Sequence, residues 1–187
     1  MLINNSKTYN TYTNLFYFIG NYGPIFLFLI SSYLLYINNY NNYLFYFIIG
    51  YFINILLNLI LKGIFRQPRP FYDTKKVTLA FKYFKDFFFQ NGVPFNMFGM
   101  PSGHAQTSFY CLVFIYLIFK NTNLLFVYSL FVIIICYQRI YFGFHYFSQI
   151  IIGLIIGLFV GIIIYYNATN KIKGIIREKK DDNMMVL

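Results

Sequence analysis

A chain of 187 residues that is 59% hydrophobic, 24% aromatic and only 11% charged, with a mean hydropathy of +0.57, is too apolar for a soluble domain and reads as an integral membrane protein. At roughly 20 residues per crossing it has room for about five or six spans and for no separate soluble domain. Five acids (Asp73, Asp86, Glu178, Asp181, Asp182) leave almost no material for paired-carboxylate catalysis or a Mg²⁺ or Ca²⁺ cage, and two histidines with two cysteines in apolar runs argue against structural zinc and a disulfide-stapled fold.

The apolar runs predict five membrane helices. The first, about Leu15 to Ile37, carries Gly20, Gly23 and Pro24, which can kink it. It is too long for the core of a cleaved signal peptide, and no small-residue cleavage site follows it. The uncharged polar turn Asn38 to Asn42 folds it into a tight hairpin with the second, about Tyr43 to Leu61. Charges gather in the long break from Lys62 to Ser102. There Val77, Ala80, Phe81, Phe84, Phe87 and Phe88 share one side of a helical wheel, opposite Lys82, Lys85 and Asp86. A helix lying in the headgroup plane has this pattern, and so does an ordinary helix packed over the bundle. The third run, about Ala105 to Phe119, and the fourth, about Leu124 to Tyr137, are short and should extend into their flanks. The fifth, about Phe147 to Tyr166, precedes a basic polar tail at 167–187.

The expected fold is therefore an all-α membrane protein, one domain over residues 1–187 with its core at about 43–166. It is a single bundle of about five transmembrane helices with an interfacial helix in the long loop. Five crossings put the termini on opposite sides, as they do the sequons at Asn4 and Asn167. Lys and Arg occur on both sides, so charge alone does not orient the chain. The formal net charge of +10 suggests an anionic partner, a phosphate-bearing ligand or an anionic membrane surface. AT-rich codon usage, which raises Lys together with Asn, Ile, Phe and Tyr, accounts for it equally well.

Three polar clusters stand where spans meet the surface: Lys62 to Pro70 after the second span, Gly99 to His104 opening the third, and Arg139 to Gln149 between the fourth and fifth. The crossing count puts all three on one side. Lys62, Arg69 and Arg139 supply fixed positive charge, and the planar arginine forks match phosphate oxygens. Ser102 and Gly103 offer backbone N–H groups at a helix start, and the Ser102 hydroxyl adds a donor. One imidazole remains in each of two clusters, His104 and His145. A cationic nest with one nucleophile and one acid suffices for phosphoryl transfer, and the scheme requires no metal.

These residues resemble the type 2 phosphatidic acid phosphatase superfamily. Its pattern is Lys, six residues, Arg-Pro; then Pro-Ser-Gly-His; then Ser-Arg, five residues, His, three residues, Asp. Lys62 to Pro70, Pro101 to His104, and Arg139 with His145 fit it. The resemblance implies that Lys62, Arg69, Ser102, Gly103 and Arg139 bind phosphate, that His104 protonates the leaving group, and that His145 is the nucleophile. Two positions depart: Gln138 replaces Ser, tolerated at a peripheral site, and Gln149 replaces Asp. Gln149 can orient His145 but brings no charge, so the imidazole should be a weaker base. The dolichyldiphosphatase branch is similar at these positions, sharing His145-x-x-Ser148-Gln149, Gly99 to Ser102, Gln106, Gln67 and Tyr141. That likeness implies hydrolysis of dolichyl or polyprenyl diphosphate to the monophosphate through a phosphohistidine. It places the active site on the lumenal face of the endoplasmic reticulum, with a lipid (di)phosphate as substrate and no cofactor, metal, nucleic acid or obligate protein partner. The alternatives are a phosphatase for another lipid, such as phosphatidic acid or phosphatidylglycerol phosphate, and a catalytically inactive scaffold of the same fold.

Overall fold

In a computed structural model that describes residues 11–70, 89–90 and 93–184, the apolar runs form five helices. They are α1 (Thr11–Ile37), α2 (Asn41–Phe65), α3 (Gly103–Phe119), α4 (Thr122–Tyr141) and α5 (Phe147–Met184). Four are long and apolar enough to cross a bilayer; α3, of 17 residues, is the short one. At 1.5 Å per residue α3 is about 26 Å long, slightly less than the roughly 30 Å hydrocarbon layer. The chain is a multi-pass helical membrane protein, as its composition predicts.

Helix α3 occupies the middle of the bundle. Ala105 to Ser108 and Tyr110 to Ile115 are all buried, so it is covered on nearly every side, and no apolar stripe distinguishes one face in its sequence. Its neighbours instead turn Ile, Leu, Phe and Tyr side chains outward, as lipid-facing helices do. Leu27, Leu35, Phe47, Phe114 and Ile135 fill the interior. The α1–α2 hairpin forms at the predicted asparagine turn. Asn39 takes the left-handed conformation at φ 60°, which Asn tolerates better than most residues. Between α3 and α4, Lys120 is left-handed as well, and Asn121 caps α4 by accepting from the N–H groups of Asn123 and Leu124.

Close approach of α5 to α3 depends on Gly153, Gly157 and Gly161, spaced four apart on one face. A methyl at Gly153 would lie 2.6 Å from the Ser102 carbonyl oxygen, one at Gly157 would collide with the Gln106 carbonyl, and one at Gly161 would press on Val113 at 3.0 Å. Small residues let membrane helices pack backbone to backbone, and here the packing brings the start of α5 against the start of α3.

The predicted interfacial helix at 77–88 and the sequon at Asn4 lie outside the described residues. Within the long break, Phe89–Gln90 and Val93–Pro94 pair as two short antiparallel strands, followed by a 3₁₀ turn at Phe95–Met97. The segment expected as a polar tail continues α5 as helix to Met184.

Substituting Gly157→Leu should therefore destabilise the protein by about 1–3 kcal/mol or more, since backbone cannot yield to the side chain. Gly174→Ala, in a stretch of α5 where nothing lies within 4 Å, should be neutral or stabilising by up to about 1 kcal/mol. Thermal unfolding in detergent micelles measures both.

Candidate active site

The C-terminal ends of α2 and α4 and the N-terminal ends of α3 and α5 come together at one end of the bundle. Lys62 stands one turn before the end of α2 and is only 5% exposed. Its Nζ donates to the Phe98 carbonyl at 2.8 Å. Beyond the left-handed Arg66 that ends the helix, Arg69 donates through Nε to the Met97 carbonyl at 3.1 Å and through Nη2 to the Asn96 carbonyl at 2.8 Å. The 3₁₀ turn thus presents successive carbonyls to both cations, and buried Phe95 and Phe98 anchor it.

Ser102 begins α3. Its N–H donates to the Gln149 carbonyl at 3.0 Å, while its buried Oγ has no hydrogen-bond partner among the described residues. Gly103 follows, then His104, whose Nε2 lies 3.1 Å from the Asn21 carbonyl of α1 and also meets Arg139 Nη2. The carbonyl serves a protonated Nε2 and the guanidinium a bare one, so both proton states of this nitrogen have a partner. Arg139 is itself held by Asn21 Oδ1 at 3.1 Å and covers the Phe144 ring at 4.9 Å. Its buried Nε–H has no partner among the described residues.

His145 lies in the turn between α4 and α5, with its N–H on the Arg139 carbonyl at 3.2 Å. Gln149, one helical turn later, sets its tautomer. The Gln149 amide nitrogen donates to the Pro68 carbonyl at 2.9 Å and its Oε1 accepts from the Tyr146 N–H at 3.2 Å. Oε1 can only accept, so the His145 Nδ1 that it meets at 3.2 Å carries the proton, which leaves Nε2 with a free lone pair. Burial above all, then the positive charges of Arg69 and Lys62, push the His145 imidazole far below its ordinary pKa; the Gln149 bond opposes this weakly. The ring is neutral across the physiological range.

All eight site residues expected from the sequence (Lys62, Arg69, Ser102, Gly103, His104, Arg139, His145 and Gln149) fall in this one region; all but Gly103, which lies between Ser102 and His104, make the bonds above. No carboxylate occurs at 15–70 or 95–175, the residues whose side chains are described. Of the other positions shared with the dolichyldiphosphatase branch, Gln67, Tyr141 and Ser148 are exposed; the Gln67 carbonyl accepts from the Gly99 N–H at 2.7 Å. Gln138 is not peripheral as expected. It is fully buried, because Gly20 of α1 lets its side chain lie against the helix backbone.

Sequence reasoning missed Asn21, which meets both His104 and Arg139 from a helix assigned only a spanning role. An amide inside an apolar span was the available signal. It also missed Asn54 and Asn58, which share a face with Lys62 at four-residue spacing and are buried beneath the site. The backbone acceptors at 96–98 carried no sequence signal. Beside His104 an open cleft of about 370 Å³ runs between α1, α2 and α3, lined by Asn21, Ile25, Ile55 and Asn58 among others.

The sequence profile of the PAP2 superfamily matches residues 39–173. A dolichyldiphosphatase of Saccharomyces cerevisiae (strain ATCC 204508 / S288c) is 31% identical over 139 residues, which cover 69% of this chain and 51% of that protein. The chain thus spans about half the length of this curated relative. No solved structure matches it.

The buried neutral imidazole makes stability depend on pH. Above about pH 6.5 His145 is uncharged both folded and unfolded. Below it, the unfolded chain takes up a proton that the folded site resists, so folding should lose about 1.4 kcal/mol per pH unit from this group. Unfolding temperatures at pH 7.5 and 5.5 should differ more for the wild type than for His145→Asn.

Proposed function

The chain belongs to the PAP2 superfamily, and from that premise we propose that it is a membrane phosphatase hydrolysing a dolichyl or polyprenyl diphosphate to the monophosphate. The observation that carries this reading is the convergence of Lys62, Arg69 and Arg139 on two neutral-capable imidazoles, with no described carboxylate nearby. Two further donors of this cluster, Ser102 Oγ and Arg139 Nε, are buried without partners among the described residues. An anion with several oxygens supplies both the missing charge and the missing acceptors.

In the proposed reaction the cations and the N–H groups at the start of α3 hold the terminal phosphate. The lone pair of His145 Nε2 attacks its phosphorus, and the bond to the bridging oxygen breaks. With the anion bound, His104 acts as the imidazolium and gives its proton to that oxygen as the lipid monophosphate leaves, becoming neutral. Water, deprotonated by His104, then attacks the phosphohistidine, releasing inorganic phosphate and restoring a neutral His145 and a protonated His104. The cleft beside His104 gives the hydrocarbon chain a path toward the lipid-facing residues Ile25 and Ile55. Gln149 supports a diphosphate over a monophosphate: an Asp there would cancel part of the cationic field, and the diphosphate carries the greater negative charge. The likeness to the yeast dolichyldiphosphatase supports the same substrate class and an endoplasmic reticulum location; a lumenal active site is part of the proposal.

Purified protein should release phosphate from dolichyl or polyprenyl diphosphate with EDTA present. His104→Ala should slow this by about 10²–10⁴-fold, and His145→Ala should abolish it without unfolding the protein. Release that survives His145→Ala would remove the nucleophile assignment. Release from no lipid phosphate would favour an inactive scaffold.

The amide at position 149 gives a separate expectation. Gln149→Asp should raise the basicity of His145 and narrow the preference for diphosphate over monophosphate, read as the ratio of kcat/KM for the two lipids. An unchanged ratio would count against the charge argument.

A further inference from the structure

Below the motif-two loop lie three buried amides, Asn54 and Asn58 of α2 and Gln106 of α3, which the proposed mechanism does not use. Gln106 is fully buried and donates through Nε2 to both the carbonyl and the Oδ1 of Asn54, at 3.0 and 2.8 Å. With both its hydrogens committed there, its Oε1 faces Asn58 and accepts from Nδ2 at 2.8 Å. The other hydrogen of Asn58 Nδ2 goes to the Pro101 carbonyl at 3.3 Å. Each amide thus dictates the orientation of the next, and the chain of bonds ends on the peptide that precedes Ser102.

Three uncharged amides inside a membrane bundle are costly to desolvate, and any apolar packing of equal volume would hold two helices together without that cost. Their placement offers a reason for keeping them. The last carbonyl they grip belongs to the loop whose next residues, Ser102, Gly103 and His104, open α3. The freed Asn58 Oδ1 then lies against Gly103, where an added methyl would come within 3.1 Å. The Asn58 side chain also lines the cleft beside Gly103 and His104.

We propose that Asn58, locked by Gln106 and Asn54, is a positioning residue that sets the Pro101–Gly103 peptides so that the first amides of α3 face the phosphate. This rests on the reading that phosphate is bound at the start of α3. Displacing such amides by about 1 Å can cost on the order of 100-fold in rate. A role confined to helix packing would lower stability and leave anion affinity alone.

The test uses the full-length protein in detergent with orthovanadate, a phosphate mimic, as the probe. Its half-saturating concentration is read from the rise in unfolding temperature, beside kcat/KM. Asn58→Leu and Gln106→Leu should raise the half-saturating vanadate concentration at least tenfold and lower kcat/KM by about 10- to 100-fold. Gln106→Glu keeps the acceptor for Asn58 but loses the paired donation to Asn54, so it should fall between these and the wild type; it also serves if the leucine variants fail to fold. Folded variants with wild-type vanadate affinity, whatever their ligand-free unfolding temperature, would overturn the proposal and leave the phosphate reading intact. A wild type that neither responds to vanadate nor releases phosphate would overturn the phosphate reading, and the positioning role with it.

Discussion

The geometry of this site depends on one neutral side chain. Gln149 donates to the Pro68 carbonyl of the first motif and accepts from His145 and Tyr146 of the third, while its own carbonyl accepts from the N–H of Ser102 in the second. Three stretches of sequence far apart in the chain are therefore registered against a single residue. Gly99 lies so close that a methyl there would come 2.5 Å from Gln149 Oε1, so the second motif also walls in the amide it binds. Amide bonds are directional and saturable, and that makes this contact a register pin in a way that apolar packing is not.

Around that pin the protein must hold three cations near one another in a medium of low dielectric. Their mutual repulsion and the loss of hydration both oppose this. Carbonyl groups answer part of it: Asn96, Met97 and Phe98 receive Arg69 and Lys62, and Asn21 receives Arg139. Carbonyls carry partial charge only, so they satisfy geometry while leaving the field positive. A carboxylate in the same places would neutralise the site and remove its reason to bind an anion. The same logic explains why the 3₁₀ turn at Phe95–Met97 carries an aromatic anchor on each side: the acceptors act only if their backbone is fixed.

Much of this was legible in the sequence, and what was not has physical causes. Spans declare themselves through length and hydropathy, and helix ends through the Asn38 to Asn42 turn and Ser102. Lys62, Arg69, His104, Arg139 and His145 could be named because charged and imidazole side chains are rare in so apolar a chain, Ser102 and Gly103 because they open a helix, and Gln149 through the family resemblance alone. Asn21 was overlooked because a neutral amide in an aromatic-rich span leaves little mark, and because its partners, His104 and Arg139, lie 83 and 118 residues away. Backbone acceptors have no residue identity to read. The burial of Gln138 could not be foreseen either, since it depends on Gly20 in a helix packed against it.

An uncharged group at position 149 also alters how the proposed nucleophile, His145, would be made ready. A carboxylate partner raises the basicity of an imidazole and stabilises its positive form, which helps attack but invites protonation before substrate arrives. Here burial and the surrounding cations already disfavour the imidazolium, and Gln149 fixes the Nδ1 proton without opposing them. The ring waits neutral, with Nε2 bare. In the proposed mechanism, the negative charge of an entering phosphate would offset the cations that make the imidazolium unfavourable, so positive charge could develop on His145 as the phosphorus–nitrogen bond forms. On that proposal the bound anion would take over the electrostatic part that a carboxylate would otherwise play, and His145 would become competent as a nucleophile only in the complex.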